Sequence, residues 1–308
     1  MIWGAVIVAA GRGTRFGQPK QFVELAGLPM VGWSLRTFAR MPEIAEIVAV
    51  TEEEWIEPMR ALLEHLAPLC ATRVVAGGTT RQRSARIGLH ALGESCAAAL
   101  IHDGARPLVR ASDVRAGMAE VRSGRGAALG APVVDTIKVI DPATMLVQRT
   151  LDRASLWAAA TPQFAMRSDF LRAHADAAKF EIGATDDVAL LERLGLDVVL
   201  VPSSGPNFKV TLPDDVVRAE TLLREREAAL APDDETLLVE VFADDALADA
   251  ICAELESRGG SIDAIERDLP SGIAVRARVP AQGLRGFGSR FEAFSDGSAT
   301  FTARASAR

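Results

Sequence analysis

The chain is poor in the residue types that most often announce metal or redox chemistry, with three cysteines and four histidines in 308 positions. Cys70, Cys96 and Cys252 are odd in number and share no C-x-x-C spacing, which excludes a disulfide framework and a zinc ribbon and leaves ordinary reduced thiols. His65, His90, His102 and His174 show no metal-ligand spacing. Long hydrophobic runs are missing too: stretches such as residues 5–10 and 97–101 fall far short of the ~20 residues a bilayer span needs. No basic segment precedes a signal-like core at the start, so the expectation is a soluble, unexported, cytoplasmic protein with no membrane partner. The formal net charge of -7 argues against nucleic-acid binding, which needs a basic patch. A small anionic substrate is compatible with it where positive charge is concentrated locally. Lysine is scarce as well, and three of the four lysines, Lys20, Lys138 and Lys209, fall inside the motifs below; a lysine is a compact point charge suited to a phosphate.

Length and an apolar content of 49% allow at least one large core and favour two domains. Residues 2–9 form a short apolar run ending at a Gly-rich turn, and residues 30–39 follow with helical spacing, giving strand, loop, helix. The pattern recurs, with strands expected at 44–51, 73–76 and 98–102 and helices at 53–66 and 81–92. Such alternation implies an α/β fold with a mostly parallel sheet covered on both faces, ligands binding beyond the carboxyl ends of its strands. Residues 135–151 break the rhythm: two strand-like pieces around Asp141 and Pro142 predict a protruding β-hairpin. Pro213 and Asp214 open a last helix that runs out near Ala231, so the first domain is expected to span 1–231. Residues 233–308 carry 14 acidic and 8 basic residues, and their βαββαβ order predicts a separate α+β domain of the ferredoxin-like type.

The loop Ala9-Ala10-Gly11-Arg12-Gly13-Thr14-Arg15-Phe16-Gly17-Gln18-Pro19-Lys20 follows the first strand, where backbone N–H groups can cradle an anion. As a dinucleotide fingerprint it fails, because Phe16 stands where the third glycine of G-x-G-x-x-G belongs, and it lacks the G-K-[ST] of a P-loop. Arg15 and Lys20 in the same loop make a triphosphate site the better reading.

Here the resemblance becomes specific. The loop is similar to the opening motif of the 2-C-methyl-D-erythritol 4-phosphate cytidylyltransferase family, and further matches follow in order. They are Gly77-Gly78-Thr79-Thr80-Arg81-Gln82-Arg83-Ser84, His102-Asp103-Gly104-Ala105-Arg106-Pro107, Ala131 to Lys138, Asp152-Arg153 through Thr161-Pro162-Gln163-Phe164, Thr185-Asp186-Asp187 and Asn207-Phe208-Lys209-Val210-Thr211. Gly104 stands where the family pattern has an alanine, and the spacer before Pro19 is short. The resemblance implies a Rossmann-like nucleotidyltransferase joining CTP to a polyol phosphate. It assigns Arg15 and Lys20 to catalysis, Ala10, Gly11, Gly13, Gly78, Ser84 and Asp103 to the nucleotide, and Arg106, Thr136, Arg153, Thr161 and Lys209 to the acceptor. It also implies Mg²⁺ near the triphosphate, held at Asp103, and a homodimer in which the hairpin arm, about residues 135–151, carries Thr136 and Arg153 to the neighbouring site. His102 is read as a packed core residue, outside the catalytic set.

Two other readings stay open. A ribitol 5-phosphate cytidylyltransferase shares the nucleotide motifs, although Lys138 after Asp135-Thr136-Ile137 and Leu156-Trp157 after Arg153 favour the erythritol phosphate. A non-catalytic regulatory protein on the same scaffold would be expected to lack Arg15 or Lys20. The tail has no histidine, which excludes the cyclodiphosphate synthase to which some family members are fused. It resembles instead the last domain of elongation factor G, in Glu254 to Gly260, Val275 to Pro280 and Ser298 to Thr302, and its partner is open. The loop chemistry generates one prediction. Arg15→Met and Lys20→Met should each lower turnover by about 10²- to 10³-fold, the scale of losing one preorganised donor to a developing anion, with less effect on CTP affinity. Steady-state kinetics of the folded variants checks this, and near wild-type turnover in either one would reject the role.

Overall fold

The structure is a computed structural model that describes residues 1–11, 19–68, 70–230, 236–269, 272–284, 287–288, 291, 295–296 and 298–305. The chain divides into two compact units, Met1–Glu24 with Leu28–Thr211, and Leu25–Gly27 with Leu212–Arg308.

The first unit is built on β1 (Trp3–Val8), whose unbroken apolar run suits a strand covered on both faces. Its period of two sends Trp3, Ala5 and Ile7 into one core and Val6 into the other. The short β2 (Glu24–Leu25) and β3 (Leu28–Pro29) precede α1 (Met30–Ala39), β4 (Ile44–Thr51), α2 (Ile56–Leu66) and β5 (Ala71–Ala76). Val31, Leu35 and Phe38 of α1 and Met59 and Leu63 of α2 fill the first core. The chain then crosses back through α3 (Arg81–Ala91) to β6 (Ala98–Asp103), and Ala85 and Leu89 help to fill the second core. β6 lies on the other side of β1 from β4, so the strand order reverses at β1. Such a reversal opens a crevice beyond the carboxyl ends of the strands.

After α4 (Ala111–Ala119) come β7 (Arg125–Pro132), the hairpin strands β8 (Lys138–Ile140) and β9 (Val147–Thr150), β10 (Trp157–Met166), α5 (Arg167–Lys179), α6 (Val188–Arg193) and β11 (Asp197–Pro202). The seven-stranded order is β11-β7-β10-β6-β1-β4-β5, parallel except for β10, which runs antiparallel to β6 and β7. The expected parallel sheet therefore holds an antiparallel strand in its interior. Its ladder with β7 shifts register between Ala159 and Gln163, and Thr161 lies in that irregular stretch. The β8–β9 pair forms its own two-stranded sheet and is exposed, with Met145 69% and Leu146 68% accessible at its turn.

The second unit begins with α7 (Pro213–Leu230), followed by β12 (Thr236–Ala243), α8 (Ala248–Ser257), β13 (Ser261–Leu269), β14 (Gly272–Pro280) and β15 (Thr300–Ala305). Helix α7, which the sequence attaches to the first domain, groups by contact with the tail, because it packs against the turn Ala281–Leu284 and β15. The end of that helix at residues 231–232 lies outside the described residues, as does much of 281–294, where the second helix of the expected βαββαβ order falls. The four strands pair antiparallel in the order β13-β14-β12-β15. Leu237, Val239 and Val241 alternate into a core with Ile251 and Leu255 of α8, and Phe287 meets Phe301 edge-on at 4.9 Å. Arg276 bridges Glu240 and Glu266, and Arg278 bridges Asp263, so the acidic and basic halves of the tail attract each other within one sheet. Exposed pairs of this kind contribute under about 1 kcal/mol each.

Candidate active site

A cleft of about 1140 Å³ lies beyond the carboxyl ends of the strands, as the reversal at β1 predicts. Much of its described lining comes from four strand ends: Ala9, Ala10 and Gly11 after β1, Glu52 to Glu54 after β4, Gly77 to Thr80 after β5, and Asp103 and Ala105 at β6. The first and third turns approach closely. A Cβ on Gly77 would stand 2.4 Å from that of Ala10, so only glycine lets the two turns meet. Ser84 closes the third turn, its Oγ accepting from the Gly78 N–H at 3.1 Å and donating to Thr80 O at 3.0 Å.

Charge concentrates around Asp103. Its Oδ1 accepts from Arg81 Nε at 2.8 Å and its Oδ2 from Lys209 Nζ at 3.0 Å, with Arg106 Nε 3.9 Å from Oδ2. Arg81 Nη1 also donates to Asp187 Oδ2 at 2.7 Å. Burial pushes the Asp103 carboxyl upward, but the charges of Arg81 and Lys209 outweigh it and hold the group well below the usual carboxylate range. Arg81 is likewise held above its ordinary value, burial being outweighed by Asp187 and Asp103, whereas burial lowers Arg106. Arg106 Nη1 donates to Asn207 O at 2.7 Å, and Asn207 Nδ2 donates to Thr161 O at 2.9 Å, tying the segment before Lys209 to β10.

His102 is fully enclosed behind this cluster. Its Nε2 lies 3.1 Å from both Arg106 O and Ser34 Oγ, and its Nδ1 lies 3.1 Å from Thr161 Oγ1. The Thr161 hydroxyl accepts in turn from the Asp103 N–H at 3.0 Å. Burial lowers the imidazole to about 3, so it is neutral at physiological pH, and through Thr161 it braces Asp103.

The residues expected at the site fall into four groups. Ala10, Gly11, Lys20, Gly78, Ser84, Asp103 and Lys209 line the cleft, Lys20 Nζ donating to Val210 O at 2.8 Å. Arg106 sits beside Asp103, and Thr161 is 3% exposed with its hydroxyl already used by Asp103 and His102, so Thr161 supports the site from behind. Thr136 and Arg153 are on the exposed hairpin and its base, away from the lining of this cleft, Arg153 Nη1 donating to Val134 O at 2.8 Å. Gly13 and Arg15 lie outside the described residues. Gly104 is pressed close: a Cβ there would meet Val31 Cγ2 at 3.0 Å and Ala9 Cβ at 3.2 Å, so an alanine needs its neighbours to yield slightly.

Arg81, Asp187 and Gln163 were given no role by sequence. Gln163 Oε1 accepts from the N–H groups of Asp187 and Val188 at 2.8 and 3.0 Å, and its Nε2 donates to Asp186 Oδ2 at 2.9 Å. All three residues stand inside the quoted motifs, and that was the signal available.

A mostly parallel sheet with a strand-order reversal, and a cleft of small-residue turns and cations at that reversal, give the α/β nucleotidyltransferase-like fold of the similar solved structures. Residues 3–225 match the family described as 2-C-methyl-D-erythritol 4-phosphate cytidylyltransferase. Relatives of that name from Halalkalibacterium halodurans and Rubrobacter xylanophilus are 38% and 43% identical, covering 74% and 72% of this chain and 99% and 95% of their own. The crystal structure of 4-diphosphocytidyl-2C-methyl-D-erythritol synthase from Anaerococcus prevotii is similar with a TM-score of 0.65 and 28% identity, covering 72% of this chain and 96% of that one. The chain belongs to the 2-C-methyl-D-erythritol 4-phosphate cytidylyltransferase family. Residues 226–308 lie outside the family match.

The enclosed imidazole has a measurable consequence. A histidine whose folded value lies below its unfolded value of about 6.5 stabilises fully above that pH, and the contribution is lost as pH falls toward 3. The wild type should therefore lose melting temperature more steeply than His102→Gln between pH 7 and 4, the difference reaching on the order of a few kcal/mol. Parallel melting curves would show that His102 is not held neutral.

Proposed function

We propose that the chain transfers the cytidylyl group of CTP to 2-C-methyl-D-erythritol 4-phosphate, giving 4-diphosphocytidyl-2-C-methyl-D-erythritol and pyrophosphate, a step of isoprenoid precursor synthesis. The observation that carries this reading is the family match over the whole of the cleft-forming sheet, with Lys20, Asp103 and Lys209 together in the cleft. An oxygen of the acceptor phosphate attacks the α-phosphorus as the bond to the bridging oxygen of the β-phosphate breaks. That oxygen is already deprotonated at neutral pH, so no general base is needed and a neutral His102 is no obstacle. Arg15 and Lys20 stabilise charge at the α-phosphate, and the turns at Ala10, Gly11, Gly13, Gly78 and Ser84 receive the nucleotide. Lys209 and Arg106 receive the acceptor phosphate, with Thr136 and Arg153 from a neighbouring subunit.

No group of three potential metal-ligating side chains occurs among the described residues. Mg²⁺ usually takes one or two carboxylates plus substrate phosphates, and Asp103 keeps a lone pair on each oxygen beside its two donors, so the residues fit such an ion. Asp103 would hold it with the triphosphate, and it would neutralise phosphate charge.

No helix among the described residues is long and apolar enough to cross a membrane. Exposed Val134, Met145, Leu146 and Val147 around the hairpin support an arm that docks on a second copy. The strand order of the tail supports a ferredoxin-like domain, and its likeness to the last domain of elongation factor G carries no ribosomal role, since fold does not transfer function.

Pyrophosphate release tests the reaction, with CTP, UTP, ATP and GTP each crossed with the erythritol and ribitol phosphates. Release is expected for CTP with the erythritol phosphate; preference for ribitol phosphate would replace the acceptor, and no release with any pair would reject the reading. Mixed Lys20→Met and Arg153→Ala subunits should regain activity by forming one intact site per heterodimer. A monomer by sedimentation, or no rescue after proven exchange, would remove the arm from the mechanism.

A further inference from the structure

Arg81 opens α3 directly after the nucleotide-side turn, and its guanidinium spans two carboxylates from distant parts of the chain. One N–H faces Asp103 at the end of β6 and another faces Asp187 before α6. Asp187 is fixed from behind: its side chain is 1% exposed and its backbone N–H is held by Gln163, which is itself held by Asp186. The anchored end therefore sets the guanidinium, the guanidinium sets Oδ1 of Asp103, and the remaining oxygen is presented to Lys209 Nζ. Lys209 is 38% exposed on a flexible stem, so its ammonium is directed mainly by the carboxylate it meets. Arg81, Asp103 and Lys209 all line the cleft, so the chain of contacts ends at the cleft and not in the core.

We propose that Arg81, braced by Asp187, is a positioning residue that orients Asp103 and through it aims Lys209 at the acceptor phosphate. The inference rests on the cytidylyltransferase reading for what Lys209 meets, but the positioning itself is a property of the free protein. A planar fork is required because two carboxylates must be spanned at once, which a lysine's single ammonium cannot reproduce.

The test compares the intact chain with Arg81→Gln, Arg81→Lys, Asp187→Asn and Lys209→Met, alone and combined. Arg81→Gln should raise KM for the acceptor by roughly 10- to 100-fold, the scale of one hydrogen bond to a charged group, with KM for CTP within about threefold. Asp187→Asn should act in the same direction, and the double variant should be no worse than Arg81→Gln, because both break one relay. Arg81→Lys should not restore the acceptor KM. Lys209→Met should cost less in the Arg81→Gln background than in the wild type. Additive losses, or a rise confined to the CTP KM, would overturn the proposal. A second readout needs no turnover. With only four lysines, side-chain NMR of dimethylated lysine resolves Lys209, whose signal should move alike in Arg81→Gln and Asp187→Asn while Lys138 and Lys179 hold still. An unmoved Lys209 in folded variants would also overturn it. A wild type that makes no pyrophosphate would sink the reaction but leave the NMR comparison decisive for Arg81.

Discussion

The cleft depends on keeping a carboxylate ionised where little water reaches it. Asp103 is 6% exposed at the end of β6, and an unpaired charge there costs several kcal/mol, whereas one held by two donors is tolerated. The pairing has a topological effect as well as an energetic one. Arg81 begins α3, Lys209 follows the last strand of the sheet, and Asp187 precedes α6, so a single carboxylate fastens segments more than 100 residues apart. Thr161 and His102 fasten the same strand end to the irregular stretch of β10 through the Asp103 N–H. Donors fixed in this way need no reorganisation when a triphosphate arrives, and preorganisation is the main contribution a protein makes to phosphoryl-type transfer.

The parts of this arrangement that rest on local periodicity were legible in the sequence. β1, α1, β4 and α3 fall within a residue or two of the expected spans, because an apolar run between turn residues and a 3.6-residue spacing are local signals. The antiparallel course of β10 was not legible. Trp157–Met166 has the composition of any buried strand, and its direction is decided by pairing with β6 and β7. The roles of Arg81 and Asp187 were hidden for a related reason: the ion pair joins positions 106 apart, and nothing near either residue marks the partner. Thr161 shows the converse. Its motif pointed to a substrate contact, but the register shift turns the hydroxyl inward to His102 and Asp103.

The two peripheral surfaces differ in kind, and the difference bears on assembly. The outward side of the tail's sheet carries Arg276 between Glu240 and Glu266, and Arg278 against Asp263, so its charges are already neutralised by neighbours on the same sheet. A partner docking there would have to replace satisfied pairs, which returns little. The hairpin region instead leaves Val134 79%, Met145 69% and Leu146 68% exposed. Burying such side chains is worth on the order of 1.5–3 kcal/mol each. Hydrophobic association therefore favours the hairpin. That same hairpin is continuous with β7 and β10 through its base, so a subunit held there is held to the strands that carry Thr161 and Gln163. An interface at that place would be mechanically linked to the brace behind Asp103.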